Sequence, residues 1–173
     1  GGAGRWRSTR RRDGSRRLWA VFTHSLLFPA VLRELDPRDG RVRQEYWSNG
    51  YVELVHEVDW NGRRFVFAGG TNNDFRAASL AVFPVDGVAG STPAVRPGYA
   101  CRNCPPGGPE TLFIFPTLCI ARGLGQAGVL EAWVENGRRI RVTVTQGQGV
   151  SYYTLGPEGE LLTAEISPLF RAE

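Results

Sequence analysis

The chain has 173 residues, a length that suits one domain and is sufficient to bury a hydrophobic core. No apolar run approaches the roughly 18 residues of a membrane-spanning helix, which excludes such a span in this sequence. All 21 basic residues are arginine, the net charge is +4, and methionine is absent even at position 1. We therefore expect an incomplete piece of a longer product.

The positive charge is concentrated at the start of the chain. Residues 1–17 hold seven arginines and one acid, Asp13, a net charge of +6, so the remainder of the chain carries −2. This segment is rich in glycine and has one large apolar residue, Trp6, which predicts a solvated tail or linker. Binding of nucleic acid or an anionic membrane surface through residues 5–17 is a less favoured alternative.

The rest of the chain has strand patterns separated by turn signals, which predicts an all-β fold of antiparallel sheets. Asp36–Gly40, Asn136–Gly137 and Gly156–Gly159 are predicted hairpin turns, and Ser48–Gly50 is a further turn. The predicted strands are Leu18–His24, Ala30–Leu35, Val42–Trp47, Tyr51–Val58, Phe65–Ala68, Ala77–Phe83, Thr111–Leu118, Val129–Glu135, Arg139–Gln146, Val150–Leu155 and Glu160–Ser167.

Side-chain alternation assigns faces to these strands. In Tyr51–Val58 a period of two places Val52, Leu54, His56 and Val58 on one apolar face, with Glu53 and Glu57 solvated on the other. Phe65–Ala68 has no alternation, which predicts burial on both faces.

Several ordered segments resemble the FG-GAP/VCBS-type repeats of bacterial β-propeller-like proteins. Leu35–Gly40 followed by Glu45-Tyr46-Trp47 is similar to the hairpin of such a repeat. The segments similar to the blade are Val58–Gly62, Phe65–Gly70, Thr71–Asp74 and Ala77–Phe83. The resemblance implies antiparallel propeller-blade-like sheets and a meander, forming an incomplete or C-terminal part of a β-propeller.

This resemblance divides the chain into a blade region and a C-terminal meander. The four parts are a basic flexible tail (1–17), an FG-GAP-like blade region (18–86), a Pro/Gly/Cys-rich loop (87–110) and an antiparallel meander (111–173). A lone blade has unpaired edges, so we expect missing blades of the same polypeptide or another protein chain to cover them.

The function implied by the resemblance is that of a noncatalytic, extracytoplasmic binding or scaffold module of a larger bacterial protein. Its ligand would be a protein, a glycan or a small molecule. A part of a carbohydrate-active hydrolase is the alternative, with Glu53 and Glu57 as paired carboxylates. His24 and His56 are the only histidines, and no Gly-x-Ser-x-Gly elbow is present, so we do not expect an enzyme.

The calcium signature of the family is weak in this sequence. Asp59 and Asn61 precede Gly62 and supply oxygen ligands, but Trp60 and Arg63 flank them and no further acid follows closely. Because Ca²⁺ takes about six to eight oxygen ligands, the segment favours a type I′-like turn with Asx hydrogen bonds over a metal site. We expect no cofactor, with Ca²⁺ as the disfavoured alternative.

Cys101 and Cys104 form a CxxC pair followed by Pro105 and Pro106. A disulfide that staples the loop in an oxidising compartment is the favoured interpretation. Free thiols and a zinc site remain open, although zinc normally requires four ligands. Cys119 would be the odd thiol.

Thr71, Asn72, Asn73 and Asp74 concentrate hydrogen-bonding groups after a buried strand. Together with exposed aromatic side chains such as Trp47, Tyr152 and Tyr153, a loop of this kind binds sugars or peptides. The more conservative interpretation is that the asparagines bond the loop backbone and the aromatic rings fill the core.

Overall fold

A computed structural model describes residues 4–10, 14–23, 30–73, 77–91, 111–115, 127–146 and 149–166. These residues form twelve β-strands and no helix, so the all-β prediction is confirmed. In this part of the chain there is accordingly no helix that is long and apolar enough to cross a membrane.

The strands form three four-stranded antiparallel sheets, each a meander of consecutive strands. Sheet A contains β1 (Gly4–Arg10), β2 (Arg16–Thr23), β3 (Ala30–Leu35) and β4 (Val42–Ser48). Sheet B contains β5 (Val52–Trp60), β6 (Arg63–Asn72), β7 (Ala77–Pro84) and β8 (Thr111–Phe115). Sheet C contains β9 (Ala127–Glu135), β10 (Arg139–Gln146), β11 (Gly149–Leu155) and β12 (Leu161–Glu165).

Strand β1 corrects the prediction of a flexible tail. Gly4–Arg10 pairs with β2 along its whole length, from Gly4 opposite Phe22 to Arg10 opposite Arg16. A glycine-rich, arginine-rich segment cannot pack by itself, but an edge strand requires only the backbone donors and acceptors of a neighbouring strand. The basic segment is therefore part of sheet A over these residues.

Sheet B lies between the other two sheets and is buried on both faces. Val66 and Ala68 pack in the core against sheet A, whereas Phe65 and Phe67 pack in the core against sheet C. The prediction of two-sided burial for Phe65–Ala68 is confirmed. Sheet A contributes Trp19, Val21, Ala30, Leu32 and Tyr46 to the first core, and sheet C contributes Val129, Ala132, Ile140, Val142, Val144, Tyr153 and Leu155 to the second.

A β-bulge at Glu53 corrects the predicted alternation of β5. Val52 pairs with Gly70 and Leu54 pairs with the adjacent Gly69, so Glu53 is the extra residue. Val52 consequently packs toward sheet A, whereas Leu54 packs toward sheet C. Beyond the bulge, Val55 lies in the core against sheet A, and Glu57 follows on the same side. The solvated face predicted for Glu57 is therefore wrong.

The hairpin turns follow the sequence closely. Asn61 and Gly62 have φ values of 51° and 74°, as the two central residues of a type I′ turn require. Asn136 and Gly137 repeat this geometry with φ values of 51° and 70°. The Ser48–Gly50 turn, in contrast, connects β4 of sheet A to β5 of sheet B.

The described start of the predicted 87–110 loop is attached to the core. Val88 is 2% exposed and packs between sheets A and B. The amide of Trp47 donates to the carbonyl of Gly90 over 2.9 Å, which holds this segment on strand β4. The prediction of an irregular loop outside the core is therefore corrected for Val88, and residues 92–110 lie outside the described part.

Gly70 lies where β6 crosses the start of β5 too closely for a side chain. A Cβ atom there would overlap the carbonyl oxygen of Tyr51, whose position is fixed by its hydrogen bond from the Thr71 amide. We expect Gly70→Ala to lower the free energy of unfolding by about 1–3 kcal/mol or more, because backbone must move. Denaturant unfolding measures this loss.

Gly87→Ala is the matched control, since a Cβ atom there meets Pro84 at 3.5 Å, an ordinary contact. Its stability should remain within about 1 kcal/mol of the parent chain. Equal effects of the two substitutions would contradict the close approach at Gly70.

Candidate functional site

A group of charged side chains lies in the seam between sheets A and B. We call it the Arg17 cluster, and it comprises Arg17, Glu34, Glu57, Arg64 and Asp86. The side chain of Arg17 is 6% exposed, and those of Glu34 and Glu57 are each 2% exposed. Buried charges require paired, hydrogen-bonded partners, so the contacts of this cluster determine what it can do.

Arg17 joins β2 to the segment that follows β7. Its Nη1 donates to the carbonyl oxygen of Val85 over 2.7 Å and lies 3.4 Å from Oε2 of Glu34. Its Nη2 lies 2.5 Å from Oδ1 of Asp86. The guanidinium therefore contacts sheet A and the end of sheet B at once, so Arg17 is not part of a solvated basic tail.

Glu57 is the acceptor at the centre of the cluster. Oε1 accepts a hydrogen bond from Trp19 Nε1 over 2.7 Å and another from the hydroxyl of Thr9. Oε2 accepts from Arg64 Nε over 3.1 Å, and Arg17 Nε lies 3.9 Å from Oε1. Both carboxylate oxygens are thus used to connect β1, β2 and β6 to β5.

Gln44 extends the cluster toward the core. Its Nε2 donates to Oε2 of Glu34 over 2.5 Å and to the carbonyl of Val85 over 2.9 Å. Its Oε1 accepts from the amide of Val88 over 2.7 Å. These bonds provide hydrogen-bond partners for the Val85 carbonyl and the Val88 amide, where the segment after β7 enters the core.

A pocket of about 420 Å³ lies at the edge of the cluster. Three guanidinium groups and two carboxylates line it, which gives the lining a net charge of +1. Arg63 stacks over the ring of Phe65 at 4.9 Å, and Arg64 is fixed through Nε by Glu57. The lining residues are Arg17, Glu57, Gly62, Arg63, Arg64, Pro84, Val85 and Asp86.

The sequence does not predict this pocket, because its members come from three distant segments. Arg17 lies in the supposed tail, and Glu57 lies on the supposed wet face of β5. The sequence contains one weak indication of a buried polar group here, which is Trp19. Its ring is 1% exposed, and the indole N–H of a buried tryptophan requires a hydrogen-bond acceptor.

Thr71 and Asn72 belong to strand β6 and are 5% and 1% exposed. The prediction that Thr71 and Asn72 lie in a polar loop is therefore wrong. Both residues are buried in β6, close to β5 and β9. The amide of Asn73 donates to the carbonyl of Asn49 over 2.8 Å, which continues the pairing beyond β6. Asp74 lies outside the described residues.

Asn61 connects the tip of sheet B to the turns of sheet C. Its Nδ2 donates to the carbonyl of Pro157 over 2.7 Å, and its amide donates to the carbonyl of Gly137 over 2.8 Å. Trp60 Nε1 likewise donates to the carbonyl of Arg138 over 2.7 Å. The carboxamide thus makes an intersheet contact in place of the expected Asx bond, while Asp59 is exposed.

The metal and disulfide predictions concern residues that the structure describes only in part. Among the described residues, no group of three or more His, Cys, Asp or Glu side chains could hold a metal ion. Cys101, Cys104, Cys119 and His24 lie outside those residues. Of the aromatic candidates, Tyr153 is in the core, whereas Trp47 and Tyr152 are exposed.

Comparison with known proteins gives no match: no family model, no curated protein and no solved structure is significantly similar to this chain. The described residues define an all-β fold of three antiparallel four-stranded meanders, with sheet B packed between sheets A and C.

Glu57→Gln should destabilise the fold strongly. The substitution leaves buried Arg17 without one of its counter-charges, and removing one partner of a buried ion pair costs about 3–5 kcal/mol. Denaturant unfolding of the variant measures the loss.

Glu45→Gln is the matched control, because Glu45 pairs with Arg33 over 2.6 Å at side-chain exposures of 34% and 32%. A pair this exposed contributes about 0–1 kcal/mol. Similar losses in the two variants would refute a special role for Glu57.

His56 makes stability depend on pH. Burial lowers the pKa of His56, the nearby Arg7 lowers it further, and the Ala132 carbonyl and Glu131 oppose the shift. The unfolded histidine has an ordinary pKa of about 6.5. As the pH falls, His56 therefore becomes protonated in the unfolded state before it does in the folded state, which favours unfolding. Stability should therefore fall as the pH decreases from about 7 to 5.

His56→Gln tests this assignment through the slope of stability against pH. The variant should lose part of the decline between about pH 7 and 5, while carboxylate titration at lower pH is retained. Urea unfolding over a pH series provides the slopes, and identical slopes for variant and parent would exclude His56 as the cause.

Proposed function

We propose that this chain is a noncatalytic binding or scaffold module of the β-propeller type, acting outside the cytoplasm as part of a larger bacterial protein. The observation that supports it is the stacking of three consecutive four-stranded meanders, with sheet B covered on both faces. Consecutive propeller blades pack in this manner. The segments from Leu35 to Phe83 that resemble FG-GAP/VCBS repeats span the second half of sheet A and most of sheet B.

The pocket beside the Arg17 cluster is the proposed ligand site. Its lining carries one more positive than negative charge, and guanidinium groups bind carboxylates with paired, charge-assisted hydrogen bonds. Arg63 is exposed at its rim, with its guanidinium over the ring of the buried Phe65. The ligand class that fits is a small molecule, glycan or peptide group bearing a carboxylate.

The noncatalytic assignment rests on Glu57. A general acid or nucleophile needs an oxygen within reach of the substrate. Here both oxygens of Glu57 accept bonds from Trp19, Thr9 and Arg64 in a side chain that is 2% exposed. This supports a structural role for Glu57 and argues against Glu53 and Glu57 as the carboxylate pair of a hydrolase.

Ligand binding can be tested with glucuronate and glucose as charged and neutral probes. Calorimetry should detect glucuronate and not glucose, and Arg63→Gln should weaken glucuronate binding about tenfold by removing one charge-assisted contact. Arg38→Gln is the control, since Arg38 is exposed on the β3–β4 turn away from the pocket. It removes the same charge and should leave binding unchanged.

Two outcomes would contradict the proposal. Equal affinity for glucose and glucuronate would exclude recognition of the carboxylate. Hydrolysis of aryl glycosides by the parent chain would contradict the noncatalytic assignment.

A further inference from the structure

In the described part of the chain, the exposed large apolar side chains lie on the two end sheets. Nine large hydrophobic residues are exposed in the described part of the chain, and none of them belongs to sheet B. Exposed apolar surface that is concentrated in this way marks an interaction site. Sheet A carries Trp6, Phe22, Val42 and Trp47, and sheet C carries Trp133, Val150, Tyr152, Leu161 and Leu162.

The outer face of sheet A carries three exposed aromatic residues, Trp6, Phe22 and Trp47. Phe22, Val31 and Trp47 are aligned across β2, β3 and β4. The adjacent row is Trp6, Ala20, Arg33 and Glu45. Glu45 accepts a hydrogen bond from Trp47 Nε1 over 2.7 Å and pairs with Arg33, whose guanidinium lies 5.8 Å from the Phe22 ring. These contacts hold the rings of Phe22 and Trp47 in place on this face.

The outer face of sheet C has aromatic residues among polar ones. Trp133 is paired with Arg141, which is paired with Thr154. In the next row Glu131, Thr143, Tyr152 and Glu165 are aligned across the sheet. Arg141 Nη1 donates to the hydroxyl of Thr154 over 3.1 Å, so this side chain is also fixed.

The two end sheets carry opposite charge. Among the described side chains, the outward rows of sheet A carry Arg16 and Arg33 against Glu45, a net charge of +1, because Arg17 and Glu34 lie in the seam with sheet B. The outward rows of sheet C carry Arg139 and Arg141 against Glu131, Glu135 and Glu165, a net charge of −1. Complementary charge favours contact between unlike ends over contact between like ends.

We propose that the outer face of sheet A packs against the outer face of sheet C in a second copy of this chain. The contact continues the face-to-face stacking that already joins A to B and B to C. With twofold symmetry both unlike contacts form together and two copies close into a ring of six sheets. This inference rests on the end faces and their charge, and it is independent of the ligand proposed for the pocket.

Sedimentation equilibrium of the 173-residue chain tests the proposal. The parent chain should be a dimer that dissociates more readily at high salt, because screening weakens the charge complementarity. Phe22→Glu on sheet A and Trp133→Glu on sheet C should each weaken dimerisation by about tenfold or more. Pro37→Glu adds the same charge at the exposed β3–β4 turn and should have no effect.

Mixing the two face variants distinguishes unlike from like contacts. Phe22→Glu retains an intact sheet C face, and Trp133→Glu retains an intact sheet A face, so the mixture should form heterodimers through one unmodified interface. Circular dichroism of each variant shows that its sheets are folded. A monomeric parent chain, or dimerisation that Trp133→Glu leaves unchanged, would overturn the proposal.

Discussion

The Glu57 carboxylate is the constraint on which the arrangement of sheets A and B depends. It lies in a seam where its side chain is 2% exposed, and its oxygens accept bonds from an indole, a hydroxyl and a guanidinium. Burial of a charge is costly unless such partners surround it. Once Glu57 faces the seam, β1, β2 and β6 must present donors at matching positions. The same requirement places Arg17 and Arg64, which also line the adjacent pocket.

The bulge at Glu53 changes the face of Val52 relative to the rest of β5. Under a strict period of two, Val52 would lie on the same face as Leu54 and opposite Val55. The bulge lets Val52 and Val55 pack on the same side while Leu54 packs on the other. One inserted residue thereby serves both cores of sheet B. Opposite the bulge on β6, Gly70 allows the backbone at Tyr51 to approach, and Gly69 leaves room for the side chain of Val129 from sheet C.

The central position of sheet B explains the different surfaces of the three sheets. Both of its faces are covered, so its strand β6 is apolar without alternation, whereas sheets A and C each cover one face and expose the other. Their exposed aromatic residues and opposite charges are the surfaces that remain for a partner. The hairpin tips add polar links, since Asn61 and Trp60 donate to carbonyls of the sheet C turns.

The residue pattern was sufficient to predict the strands and turns, because these depend on local chemistry. Alternation, Asn-Gly turns and the apolar run Phe65–Ala68 identified eleven of the twelve strands and the burial of β6. The site, in contrast, depends on how the three sheets pack against one another. Strand β1 needed β2 as a neighbour, sheet A covered the face of β5 that carries Glu57, and the pocket arose where β2, β5 and the segment after β7 meet. These features depend on contacts between distant residues, such as Arg17 with Asp86, that no local pattern encodes.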